Sequence, residues 1–101
     1  MQNLRAHAVR WVSDEPMPGW VEVEFEDADG VRHVVSDKPP VFGGHEQLGP
    51  DAEYPIEVLV ACEIVAVDAE RVRITTERPW GTSTADGRTE FVVHRHHLAT
   101  D

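Results

Sequence analysis

From Ile56 to Ile74 the chain reads IEVLVACEIVAVDAERVRI, and whether this stretch is helix or strand decides the fold. Ile56, Val58, Val60, Cys62 and Ile64 fall on one side of an extended chain, with Glu57, Leu59, Ala61 and Glu63 on the other, because side chains alternate faces along a strand. A helix over Ala61 to Val72 would suit its Ala, Glu and Arg residues. The Val and Ile residues of the same window argue against it, since β-branched side chains lose rotamer freedom in helices and pack well on a pleated surface. Asp68-Ala69-Glu70 then offers a turn into a second strand, with Val72 and Ile74 inward and Arg71, Arg73 and Thr75 outward.

Strand signals extend in both directions. Val21, Val23 and Phe25 alternate with Trp20, Glu22, Glu24 and Glu26, and Asp29-Gly30 follows as a hairpin dipeptide before the return strand Val31 to Val35. Near the N-terminus Leu4, Ala6, Ala8 and Val12 alternate with Arg5, His7, Val9 and Trp11. Trp80 to Ala85 reads as a weaker strand entering a second hairpin at Asp86-Gly87, with Phe91 to Val93 returning. The Pro- and Gly-rich segment from Asp37 to Pro55 reads as a long loop with at most one helical turn, near residues 45–49. Together these signals predict a single all-β domain over residues 1–101: a small antiparallel barrel or rolled sheet of six or seven strands.

Composition narrows the function. The chain of 101 residues carries 19 acidic and 9 basic side chains and a formal charge of −10. Duplex nucleic acid and anionic membranes both require clustered cations, so neither is an expected partner. The one cysteine, Cys62, cannot form an internal disulfide, which fits a reducing cytoplasm. Arg5, His7 and Arg10 interrupt the apolar core that a signal peptide would need. Cytoplasmic is the expected location.

Several segments, among them Asp37 to Phe42, Tyr54 to Glu57, Cys62 to Val65 and Thr75 to Gly81 with Asp86 to Phe91, resemble a group of short bacterial proteins of about this length. No activity attaches to that group, so the resemblance implies only a small stand-alone domain.

Four local patterns have chemical readings. Cys62 lies in the apolar row, which favours a buried structural thiol over a reactive one. Gly81 to Ala85 lacks the second glycine of a serine elbow, and Gly43-Gly44 lacks the following lysine of a phosphate loop. Asp27 to Gly30 is short of the oxygen ligands of a calcium loop and reads as a hairpin turn. His94 and His96 in His94-Arg95-His96-His97 would project from one face of a strand, where zinc could be chelated with a further ligand such as His7 or His33. The competing interpretation of that cluster is a solvated strand end.

The surface row Trp20, Glu22, Glu24 and Glu26, extended by Asp27 and Asp29, remains. Its field attracts a cationic partner, and Trp20 offers a cation–π contact; its plain alternative is an ordinary solvated face. The leading expectation is therefore a non-enzymatic acidic β-barrel that docks a basic protein, resembling an immunity protein in charge and size only. The alternative is a small metal-binding protein or metal-dependent enzyme using His94 and His96.

Overall fold

The structure, a computed structural model, describes residues 2–99 and is all-β. Eight strands follow in chain order: β1 Gln2–Ser13, β2 Trp20–Glu26, β3 Arg32–Asp37, β4 Phe42–Gly43, β5 Ile56–Asp68, β6 Arg71–Thr75, β7 Glu90–His94 and β8 Leu98–Ala99. All pairings are antiparallel, in the order β3-β2-β1-β5-β6-β7, with β4 added to β5 and β8 to β1. The sheet rolls into a half-barrel. Its two ends approach where the Ala28 amide donates to the Val92 carbonyl at 2.7 Å and Val35 bridges Thr84. Phe25 of β2 meets Phe91 of β7 edge-on, with ring centroids 4.9 Å apart.

The core is the inward row of each strand: Leu4, Ala6 and Ala8; Val21, Val23 and Phe25; Val58, Val60 and Cys62; Val72 and Ile74; Phe91 and Val93. Strand character over Ala61 to Val67 stands as expected. The helical turn expected near 45–49 is a 3-10 turn at His45–Gln47, with two others at Pro39–Val41 and Arg95–His97. The long loop carries its own packing, because Leu48 and Tyr54 lie against the core and the Tyr54 hydroxyl donates to the Gly49 carbonyl at 2.7 Å. It is a brace.

Four expectations are corrected. Val9 is a bulge between the pairs Ala8↔Val23 and Arg10↔Glu22, so the phase of β1 slips by one residue. Trp11 consequently packs on the core and Val12 is exposed, the reverse of simple alternation. A second bulge at Val65, together with the end of β1 at the pair Gln2↔Cys62, leaves Ile64 outside the core. Thr75 is buried, not outward. Trp80 to Ala85 is a loop, since Thr82 exchanges bonds with Thr76 where a strand would bond its ladder: the Thr82 amide donates to the Thr76 carbonyl and the Thr76 hydroxyl to the Thr82 carbonyl. The Asp86-Gly87 turn follows it within the same connection from Thr75 to Glu90, the last pair of the β6–β7 ladder.

Candidate functional site

The β2 row has the placement its alternation demands. Val21, Val23 and Phe25 face the core, and Trp20, Glu22, Glu24 and Glu26 face outward. The register then places cations beside two of the acids. Arg10 of β1 stands opposite Glu22 and holds it by two hydrogen bonds, at 2.8 and 3.4 Å. The Arg32 Nε of β3 lies 3.4 Å from Glu24 Oε1. Both glutamates are only 29% exposed as a result. The hydrogen bonding of Arg10 to Glu22, and then the charge of that carboxylate, raise the Arg10 guanidinium above its ordinary value. The row is half of a charge lattice, not a bare anionic face.

Its proposed extension also changes. Asp29 lies 3.1 Å from Arg71, and Asp27 is buried. Asp27 Oδ1 accepts hydrogen bonds from the amides of Asp29 and Val31, both at 2.9 Å, while Oδ2 meets His33 Nε2 at 2.7 Å. His33 in turn packs against Phe25 and Phe91. Burial alone would raise the Asp27 carboxyl, but the His33 bond and the two amides outweigh it and hold the group below its ordinary value. This buried pair ties the β2–β3 turn to the core. His33 is thereby committed and is no partner for His94 and His96.

Carboxylates without an arginine or lysine beside them lie elsewhere, although Glu46 Oε2 has the imidazole of His45 3.9 Å away. Residues 44–57 hold Glu46, Asp51, Glu53 and Glu57 and contain no Lys or Arg. All four carboxylates are exposed. The segment is held in place at both ends: Gly43 pairs with Leu59, and Gly44, at φ +84°, sits against the Glu57 carbonyl. Glu57 also continues a cross-sheet row through His7 to Glu24. Strand periodicity marks β2, whereas the signal for this end is a run of sequence without Lys or Arg.

The C-terminal histidines do come together, by a different device from strand alternation. His94 ends β7, and the following 3-10 turn folds His96 and His97 back, giving ring centroids 5.2, 5.5 and 4.4 Å apart. His97 is the third imidazole; His7 lies on the sheet face beside Glu24 and Glu57. The turn is pinned by Arg5, which donates to the His96 carbonyl at 2.8 Å, and by the Arg95 amide on the Glu70 carbonyl at 2.8 Å. His97 Nδ1 is buried without a hydrogen-bond partner among the described residues. Burial, and then the neighbouring imidazoles of His96 and His94, lower the His97 pKa. As the side chains stand, no three His, Cys, Asp or Glu groups among the described residues are disposed to hold a metal ion.

Cys62 is fully buried, and burial pushes its thiol up to about 11, far from the thiolate that nucleophilic chemistry needs. Among the described residues no helix is long and apolar enough to cross a membrane. No protein-family model, curated protein or solved structure matches the chain.

Proposed function

We propose that this chain is a non-enzymatic, cytoplasmic binding module that docks a basic protein by electrostatic steering and steric occlusion. The observation that carries this reading is the separation of charge on the surface. Glu22 and Glu24 of β2 are matched by Arg10 and Arg32, leaving Glu26 alone in that row, while Glu46, Asp51, Glu53 and Glu57 have no guanidinium or ammonium within their own segment. A cationic partner meeting β2 must compete with built-in arginines. At the 44–57 end it meets carboxylates that are free of that competition. Trp20, Glu22, Glu24 and Glu26 then form the rim of the contact, reached through the row Glu57–His7–Glu24. Charged rims govern association rate and salt dependence more than final affinity.

An oligoarginine peptide titrated into the labelled protein tests this by NMR. Amide shifts should centre on residues 44–57, and Glu46→Gln, Asp51→Asn, Glu53→Gln and Glu57→Gln combined should weaken binding more than Glu22→Gln, Glu24→Gln and Glu26→Gln combined. Shifts centred on β2, or equal loss from both sets, would overturn it.

A second reading is favoured by the orphaned His97 Nδ1: capture of zinc or a similar transition ion by His94, His96 and His97 after their rings turn about Cβ–Cγ. Imidazole is the preferred ligand of such ions, and a lowered pKa keeps the His97 ring in the neutral, ligating form. Calorimetric titration of zinc into tag-free protein should give one site per chain that is lost in His97→Ala; no heat, or heat unchanged in the variant, removes this reading.

A further inference from the structure

We propose that β6 carries a binding site for a small α-hydroxycarboxylate, held by Arg71 and Arg73 on the outer side of the β5–β6–β7 sheet. The strand begins Arg71-Val72-Arg73-Ile74, and alternation sends Val72 and Ile74 into the core and both arginines outward. Residues two apart on one face of a strand stand about 6.5 Å from each other, near enough for two guanidiniums to share one carboxylate. A depression of about 280 Å³ opens at this point, lined by Ala66, Asp68, Arg71, Arg73 and Val92. None of these residues belongs to the acidic segment 44–57 or to the β2 row, so the site is independent of the docking of a basic protein.

The neighbouring strands make the hollow. The bulge at Val65 shifts the phase of β5, so Arg73 has Ala66 on one side and Val92 of β7 on the other. Ala66 is too short to cover a guanidinium, and neither neighbour carries a charge. Among the described residues Arg73 makes no ion pair. Arg71 has Asp68 and His94 beside it in the ladder, yet its ion pair runs to Asp29 in the β2–β3 turn, Nη2 to Oδ1 at 3.1 Å. A guanidinium has several N–H groups in a fixed fork, so that single bond leaves most of the Arg71 donors available.

Charge and lining select the ligand. Two guanidiniums against one carboxylate give this lining an excess of one positive charge, on a chain whose total is −10. Elsewhere the balance differs: the depression containing Glu63 and Arg78 is neutral, and that containing Glu24, Glu26 and Arg32 is acidic. An excess of one charge suits a monoanion, whereas a phosphate dianion would meet the carboxylates of Asp68 and Asp29. The two oxygens of a carboxylate match the guanidinium fork. Asp68, the remaining polar member of the lining, accepts a hydrogen bond from a hydroxyl next to that carboxylate. Ala66 and Val92 receive a short aliphatic remainder. These features together describe a small aliphatic hydroxy acid. The ion pairs stay partly in water and the contacts are few, so a dissociation constant on the order of 1 mM is expected.

Titration of 2-hydroxyisovalerate into the labelled chain at low salt tests the proposal by NMR. The amides of Ala66, Asp68, Arg71, Arg73 and Val92 and the Nε–H signals of both arginines should shift together along one saturating curve. Arg73→Gln should weaken binding by about tenfold, because it removes a charged, forked donor. Ala66→Leu, which fills the hollow and leaves every charge in place, should weaken it by a similar factor. Isovalerate, which lacks the hydroxyl, should bind roughly threefold more weakly, and that difference should vanish in Asp68→Ala. Inorganic phosphate, titrated into the wild-type chain, should bind more weakly than the hydroxy acid. Shifts that do not saturate, equal shifts at Arg88 and Arg95, tighter binding of phosphate, or affinity unchanged in folded Arg73→Gln or Ala66→Leu would each overturn it.

Discussion

Arg10 and Glu22 face each other across the β1–β2 ladder and are joined by two hydrogen bonds, Nη2 to Oε2 at 2.8 Å and Nε to Oε1 at 3.4 Å. The contact exists because Val9 bulges out of β1. Without that extra residue the strand phase would bring Trp11, not Arg10, to the outer face. A bulge of one residue thus gives the acidic row an ion-paired member.

Removing the arginine should expose the row. Arg10→Gln is expected to increase affinity for an oligoarginine peptide and to draw part of its NMR footprint from residues 44–57 onto β2, with little change in thermal stability, since exposed ion pairs add little. An unchanged footprint would mean that Glu22 is not restrained by its partner.

The buried Asp27–His33 pair should matter far more for stability. Asp27→Ala leaves the buried His33 ring, and the part-buried turn amides of Asp29 and Val31, without their partner, and breaking such a pair costs roughly 3–5 kcal/mol, measurable as a lower urea midpoint. The Asp27 carboxyl is held below its ordinary value of 3.8 in the folded chain. Its contribution is therefore complete above that value and is lost as pH falls through the folded pKa. The acid limb of the wild-type stability curve should flatten in the variant.

His97 predicts a second pH window of the same sign. Its neighbours His94, His96 and Arg5 disfavour its cation, with Glu26 opposing them and burial as the largest cause. The unfolded chain takes a proton at about the ordinary 6.5, which the folded chain resists. Stability should fall as pH drops below that value and level off once the folded group has also titrated. Urea melts between neutral pH and pH 5, with a chelator present, should show a shallower slope in His97→Gln.

Gly19 is under a different constraint. Its φ is +105°, and a Cβ there would lie 2.3 Å from Cζ2 of Trp11. Gly19→Ala must strain the backbone and displace a ring packed on the core, an expected cost of about 2–4 kcal/mol. Trp11 also donates from its indole to Asp14 at 2.7 Å, so its fluorescence should report the displacement. A variant with wild-type stability would show that this loop yields easily.

The hairpins at Asp29-Gly30 and Asp68 to Glu70, the inward rows of β2, β5 and β6 and the burial of Cys62 could all be read from alternation. The candidate sites were legible only in part. Glu22, Glu24 and Glu26 are recognisable as one outward row, and His94 and His96 as neighbours. That Arg10 and Arg32 pair with Glu22 and Glu24 of the first, and that His97 joins the second, depends on strands and turns remote from those short patterns.

Periodicity belongs to the chain itself, because a strand shows alternate faces wherever it lies; the all-β character and the choice of core residues follow from that local geometry. Register does not. A bulge at Val9 or Val65 is set by what the neighbouring strand can bury. Which charges meet and which threonines turn inward were settled only when the sheet closed around its core.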